Sequence, residues 1–217
     1  MQQIKLLAAI ILIIAILGAC SGNTQNADRL TPTSPNVTLM RETASALYAF
    51  PPSLDKVKEY TDIVVAGTLS DDTVCKYYDS VSFRIWYSVT TLTVTDVIEG
   101  NVSVGDKIPI MEGYSYEDTG DGKYVLRYSN MYQPSISHDE YLFFLAQQPE
   151  TREWCAGLYT PVMGVFGRYP IISTKSQTIS LKTMSESDLD MIYDPYAYGS
   201  VELYKEMYAE VYSEYLS

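Results

Sequence analysis

The sequence predicts a mainly β domain, a barrel or a sandwich, with a helix at its C-terminal end. Three observations carry this. Ser82 to Ile98, SFRIWYSVTTLTVTDVI, is dense in β-branched and aromatic residues over a strand-like length. Glu140 to Ala146, EYLFFLA, is nearly continuous in apolar residues, as a central strand buried on both faces requires. After about residue 188 the pattern changes to helical spacing, with Val201, Tyr204, Tyr208, Val211 and Tyr215 on one face and Met207 beside them.

The elements follow in order. Ser21 to Asn36, SGNTQNADRLTPTSPN, is polar and proline-bearing, with no apolar period, and reads as a tether. VTLMRETASALYAF reads as a short helix ending before Pro51-Pro52. SLDKVKEYTD reads as a second, two turns long, with Ser53 as its cap. DIVVAGTLS is a strand from about Ile63, and Gly67 within it marks a bulge or a close backbone approach. In the next strand Ile85, Tyr87 and Val89 share one parity and Leu92 and Val94 the other, which predicts a bulge near Thr90–Thr91.

EGNVSVGDK is a turn and Lys107 to Met111 a strand. EGYSYEDTGDGK reads as an acidic glycine-rich loop, with KYVLRYSNMY a strand on its far side. GLYTPVMGVFGRY, with three glycines and a proline, fits a kinked or edge strand, and IISTKSQTISL a hairpin. In the C-terminal helix, Ser200 is the expected cap and Glu202, Lys205, Glu206 and Glu210 take the solvent face. The tyrosine face reads as a docking surface onto the protein's own sheet. Short strands with glycine-rich turns between them are the grammar of a barrel or sandwich.

The composition excludes several roles. The chain carries a net charge of −12. Nucleic acid is not an expected partner, since phosphate binding needs Lys and Arg, and an anionic bilayer would repel the body. Among 217 residues there is one histidine, His138, in SHDEY. Its neighbours Ser137 and Asp139 would point away from it in an extended segment, so they make no triad. It reads as an exposed residue at a strand entry. No HExxH or CxxC is present, so no metal is assigned.

Ser53-Leu-Asp-Lys56 matches SxxK, but no KTG or SDN element accompanies it, and a helix start explains it. Glu117, Asp118 and Asp121 could offer oxygens to Ca²⁺, yet their spacing fits no EF-hand loop, and a solvated turn is the better reading. No catalytic residue and no cofactor are assigned. A glycosidase needs only two carboxylates, and 27 acids make chance pairs inevitable.

The N-terminus carries the most specific signal. Lys5 precedes the apolar run Leu6 to Leu17, too short for the roughly 20 residues of a spanning helix and right for a secretory signal. Leu17-Gly-Ala19-Cys20, followed by polar SGNTQN, resembles the lipobox of bacterial lipoprotein signal peptides. The resemblance implies cleavage between Ala19 and Cys20, lipidation of the Cys20 thiol with further acylation such as palmitate, and anchoring at the extracytoplasmic face of the cell membrane. Two acyl chains are enough for stable anchoring. A tether of some 17 residues would then reach roughly 20–25 Å, clear of the headgroups. With Cys20 lipidated, Cys75 and Cys155 remain, and in an exported chain they could form one disulfide or stay as thiols.

TDIVVAGTL, YSVTTLTVTDVIEG, GDKIPI and DEYLFFLA, in that order, resemble the strands of netrin-like modules, which include the tissue inhibitors of metalloproteinases. The resemblance spans about Thr61 to Leu181 and implies an OB-like antiparallel barrel; a β-sandwich is the alternative. The inhibitors act through a free N-terminal cysteine amine, which a lipidated terminus here would not offer. The expected organisation is a signal peptide over 1–19, a tether over 20–37 and one barrel domain over 38–217, with short N-terminal helices and a C-terminal helix from about 188. The expected function is that of a non-enzymatic binding module of the cell envelope, with an unknown envelope protein or glycan as partner. A lipid-anchored hydrolase or protease inhibitor is the alternative. A pocket with two carboxylates 5–10 Å apart would favour the hydrolase, and an aromatic groove would favour binding.

Overall fold

The computed structural model describes residues 30, 34–41, 51, 53–81, 83–128, 132–171 and 200–216. The signal peptide, Ala19, Cys20, most of the tether and the hairpin expected after Ile171 lie outside them.

The domain is a closed five-stranded barrel. Its strands are β2 (Ile63–Leu69), β4 (Arg84–Glu99), β5 (Lys107–Glu112), β8 (Glu140–Gln147) and β9 (Tyr159–Pro161). The hydrogen-bonded circuit runs β2–β4–β5–β9–β8 and back to β2. Every pairing in it is antiparallel except β5 with β9. A single parallel closure of this kind is the OB arrangement, so the barrel prediction holds over the sandwich. Inward residues Val65, Leu92, Val94, Ile110, Phe143 and Leu145 fill the interior.

β4 reaches well beyond the barrel. Its first half pairs with β3 (Val74–Asp79) in a hairpin turning at Ser80–Phe83. The parity change expected to mark a bulge at Thr90–Thr91 has a different cause. Ser88, Thr90, Leu92 and Val94 form one continuous buried face, while Ile85, Tyr87 and Val89 pack on the opposite face around Met111 and Cys155. The strand is sandwiched between two clusters. The irregularities lie further on, where Ala66 and Gly67 face Asp96 and Val94, and Val64 and Val65 face Glu99 and Val97. A Cβ on Gly67 would stand 2.7 Å from the Thr93 carbonyl oxygen and 2.8 Å from Leu92 Cδ1, so both readings of this glycine hold.

A second sheet, ordered β1–β7–β6, lies outside the circuit: β1 (Val37–Arg41), β6 (Tyr114–Gly120) and β7 (Lys123–Tyr128). It corrects two expectations. Val37–Arg41 is a strand parallel to β7, not the start of a helix. An isolated short helix is marginal, whereas β1 gains a full ladder, entered through the Tyr124 N–H to the Asn36 carbonyl at 2.9 Å. Residues 42–50 of that expected helix are outside the described residues. The acidic loop is β6 and its turn: Tyr114 and Ser115 are buried, and Asp121 (φ 56°) and Gly122 (φ 71°) make the reversal to β7. The Leu30 carbonyl, in the segment expected to be tether, accepts from the Tyr116 hydroxyl at 3.0 Å.

Two of the expected helices form: Leu54–Glu59, and a C-terminal helix that includes Ser200 rather than being capped by it; residues 188–199 lie outside the described residues. In α1 (Leu54–Glu59) the Ser53 hydroxyl accepts from the Lys56 N–H, and Leu54 and Val57 are buried. This is the capping role read from SxxK. α2 (Ser200–Val211) buries Tyr204, Met207, Tyr208 and Val211, and one π-helical turn follows over Tyr212–Leu216. Each such burial stabilises by about 1.5–3 kcal/mol. The Tyr204 hydroxyl donates to the Arg168 carbonyl at 2.7 Å and the Tyr208 hydroxyl to the Pro170 carbonyl. Tyr169 stacks on Tyr204 with ring centroids 5.2 Å apart. The tyrosine face therefore docks onto the protein's own strands.

The kinked strand becomes β9, a 3₁₀ turn at Gly164–Gly167 and β10 (Arg168–Pro170), and β9 and β10 both pair with β8. A Cβ on Gly167 would lie 2.4 Å from the Val162 nitrogen, so only glycine fits this crossing.

Candidate binding cleft

The outer wall of the barrel is covered in two sectors. One carries α1, α2 and the second sheet. The other carries Trp154, held by the eleven-residue connection from β8 to β9. Between them a cleft of about 670 Å³ remains open, within the roughly 300–1,000 Å³ range of small-molecule sites.

Alternation along each strand builds the floor. Ile110 points into the barrel, so Met111 points out; Ile85 comes from the outer face of β4, and Ala146 and Thr160 from the outer faces of β8 and β9. Phe83 enters from the β3–β4 turn, Tyr60 from the end of α1, and Val162 and Met163 from the chain after β9. Met163 itself is left-handed (φ 55°), an uncommon conformation for a non-glycine residue.

Trp154 is the fixed wall. Tyr78 stacks on it at 5.1 Å, and Tyr87 and Phe83 meet it edge-on at 5.4 and 6.0 Å. The Tyr87 hydroxyl donates to the Trp154 carbonyl at 3.2 Å. Aromatic pairs of this kind contribute about 0.5–1.5 kcal/mol each beyond area burial, so the indole is presented rigidly. The polar lining is Gln148, Arg152 and Thr160, and Arg152 Nη1 donates to Gln148 Oε1 at 3.3 Å.

One residue beyond Met111, on the opposite face of β5, is a fully buried ion pair. Glu112 Oε1 accepts from the Tyr132 hydroxyl at 2.9 Å, from the Ser135 hydroxyl, and from Arg168 Nη1 at 3.5 Å. Arg168 also donates to the Gln133 carbonyl at 2.8 Å and lies over the rings of Tyr132 and Tyr141. Burial pushes the Glu112 carboxyl up, and the Arg168 guanidinium with the Ser135 and Tyr132 hydroxyls pulls it only partly back. The cluster ties β5, β10 and the segment before β8 together behind the cleft floor.

The residues singled out from sequence do not converge on this place. Cys75 and Cys155 are unbridged in this structure. Each has its own environment: Cys75 Sγ on β3 accepts from the Tyr116 N–H at 3.2 Å, and buried Cys155 lies against Gln148 at 3.8 Å. Burial pushes the Cys155 thiol up. His138 is exposed, left-handed (φ 70°), with its N–H on the Leu69 carbonyl at strand entry. Glu117 pairs with Arg127 at 2.6 Å, and Asp118 accepts from the Gly120 N–H at 2.8 Å. Both carboxylates thus serve the hairpin, and no group of metal-holding side chains forms among the described residues.

Sequence reasoning missed the cleft residues. The available signal is the short run Thr151-Arg-Glu-Trp-Cys155 between two barrel strands: a tryptophan two residues after an arginine. A scan against protein-family models and a search of curated proteins both return no match.

Proposed function

We propose that this chain is a lipid-anchored protein of the cell envelope whose barrel binds a partner in the cleft without transforming it. One observation carries the binding part. The cleft is lined by Ile85 of β4 and Met111 of β5, by Ala146 of β8 and Thr160 of β9, and by Gln148, Arg152 and Trp154 of the β8–β9 connection. OB-type barrels bind ligands on the face of their second and third strands, here β4 and β5, and with adjoining loops. Its aromatic lining favours binding over the hydrolase alternative, and Glu112 is locked in its buried pair. The acidity of the chain argues for a non-nucleic-acid partner.

The anchor rests on Leu17–Cys20 and its resemblance to the lipobox. No helix among the described residues is long and apolar enough to cross a membrane. Two experiments test the two parts. Cys20→Ala should abolish labelling by a fatty-acid analogue and leave a longer precursor; persistent labelling would sink the anchor. Capture of an envelope component by the chain should be lost in Trp154→Ala; equal capture by both would move the binding site elsewhere.

A further inference from the structure

The charge distribution around the cleft identifies what kind of ligand fits it. Arg84, Arg127 and Arg168 each hold a carboxylate, from Asp79, Glu117 and Glu112. Arg152 forms no ion pair among the described residues; its partner is the neutral amide of Gln148. Arg152 lies exposed at the cleft. Glu150 and Glu153 flank it in sequence but neither lines the cleft. Lys56, over the Tyr60 ring at 4.8 Å, is already neutralised by Glu59 at 2.6 Å. The lining thus combines an apolar wall of Phe83, Ile85, Met111 and Trp154 with a single charge, a cation, and no carboxylate.

We propose that the cleft binds a small amphipathic carboxylate, its apolar or aromatic body against Trp154 and Phe83 and its anionic group on the Arg152 guanidinium. This rests on the cleft being the binding site and adds the ligand's chemical class. A guanidinium matches a carboxylate through two parallel N–H donors, so it selects an anion over a neutral isostere. The volume suits one ligand of drug-like size.

The test uses the full-length chain in phosphatidylcholine vesicles, with Trp86→Phe so that Trp154 is the only tryptophan reporting. Three soluble probes share one body: 4-phenylbutyrate, 4-phenylbutanamide and 4-phenylbutylamine. Trp154 emission should titrate with the anion about tenfold more tightly than with the amide, and most weakly with the amine. Arg152→Gln should erase the preference of the anion over the amide; Arg152→Lys should restore part of it. Equal binding of all three probes, a preference for the amine, or a preference that survives Arg152→Gln overturns the anion assignment while leaving the cleft as a binding site. No saturable response to any probe overturns both.

Discussion

Replacing Arg168 with alanine should be among the most damaging single changes in the domain. Arg168 and Glu112 are each 0 % exposed in their side chains, with Nη1 and Oε1 3.5 Å apart. Removing the guanidinium leaves a carboxylate buried without its cation and a void beneath the Tyr132 and Tyr141 rings. Breaking a buried pair from one side costs about 3–5 kcal/mol. A domain has about 5–15 kcal/mol in all. With a urea slope near 2 kcal/mol per M, a loss of about 4 kcal/mol lowers the unfolding midpoint by about 2 M.

The pH dependence follows from the same geometry. Because burial raises the folded carboxyl's pKa, the folded state holds its proton longer than the unfolded state. The associated stability is fully present below the ordinary value of 4.5 and is lost as pH rises through the folded value. In Arg168→Met the pull from the guanidinium is gone, so the penalty should be smaller at pH 5 than at pH 8. The double change Glu112→Gln with Arg168→Met should lie within about 1 kcal/mol of the parent or above it, since both charges leave together. Urea midpoints at the two pH values measure all of this. An Arg168→Ala loss below about 1 kcal/mol, or a larger Arg168→Met penalty at pH 5 than at pH 8, would refute the reasoning.

Further outcomes follow from single contacts. Gly67→Val should destabilise by at least about 1–3 kcal/mol, because the new side chain meets the Thr93 carbonyl and Leu92; thermal unfolding checks this. Ser53→Ala should cost about 1 kcal/mol through the lost cap of α1, by the same measurement. Tyr204→Phe removes the donor to the Arg168 carbonyl and should cost about 1–3 kcal/mol, read from the urea midpoint. Alkylation without reductant should modify both Cys75 and Cys155, the buried Cys155 only on unfolding; mass spectrometry that finds them joined would contradict the free thiols.

Much of the barrel is legible in the sequence because its strands obey simple periods. EYLFFLA is buried on both faces, Leu142 and Phe144 outward under α2 and Phe143 and Leu145 inward, and its continuous apolarity said so. The Tyr204–Tyr208–Val211 face was equally plain, since a 3.6 period has one meaning. Local period cannot see pairing, and the failures lie there. β1 is a strand because β7 offers it a ladder, and VTLMR carries no trace of β7. The two faces of β4 belong to different clusters, so a parity change that resembled a bulge was a change of neighbour. The cleft was illegible for the same reason: Phe83, Met111 and Trp154 come from three separate segments, and only closure of β5 onto β9 brings them to one wall.

The central claim is that the cleft under Trp154, lined from β4, β5, β8 and β9, is where this protein meets its partner. Site-specific photocrosslinking in the living cell tests it most directly, with the photoreactive residue placed at Thr160 in the cleft and, for comparison, at exposed Val104 in the turn before β5. The account predicts a discrete crosslinked product from Thr160 that Trp154→Ala removes, and none of that product from Val104. The same adduct from Val104, or a Thr160 adduct indifferent to Trp154→Ala, would contradict it.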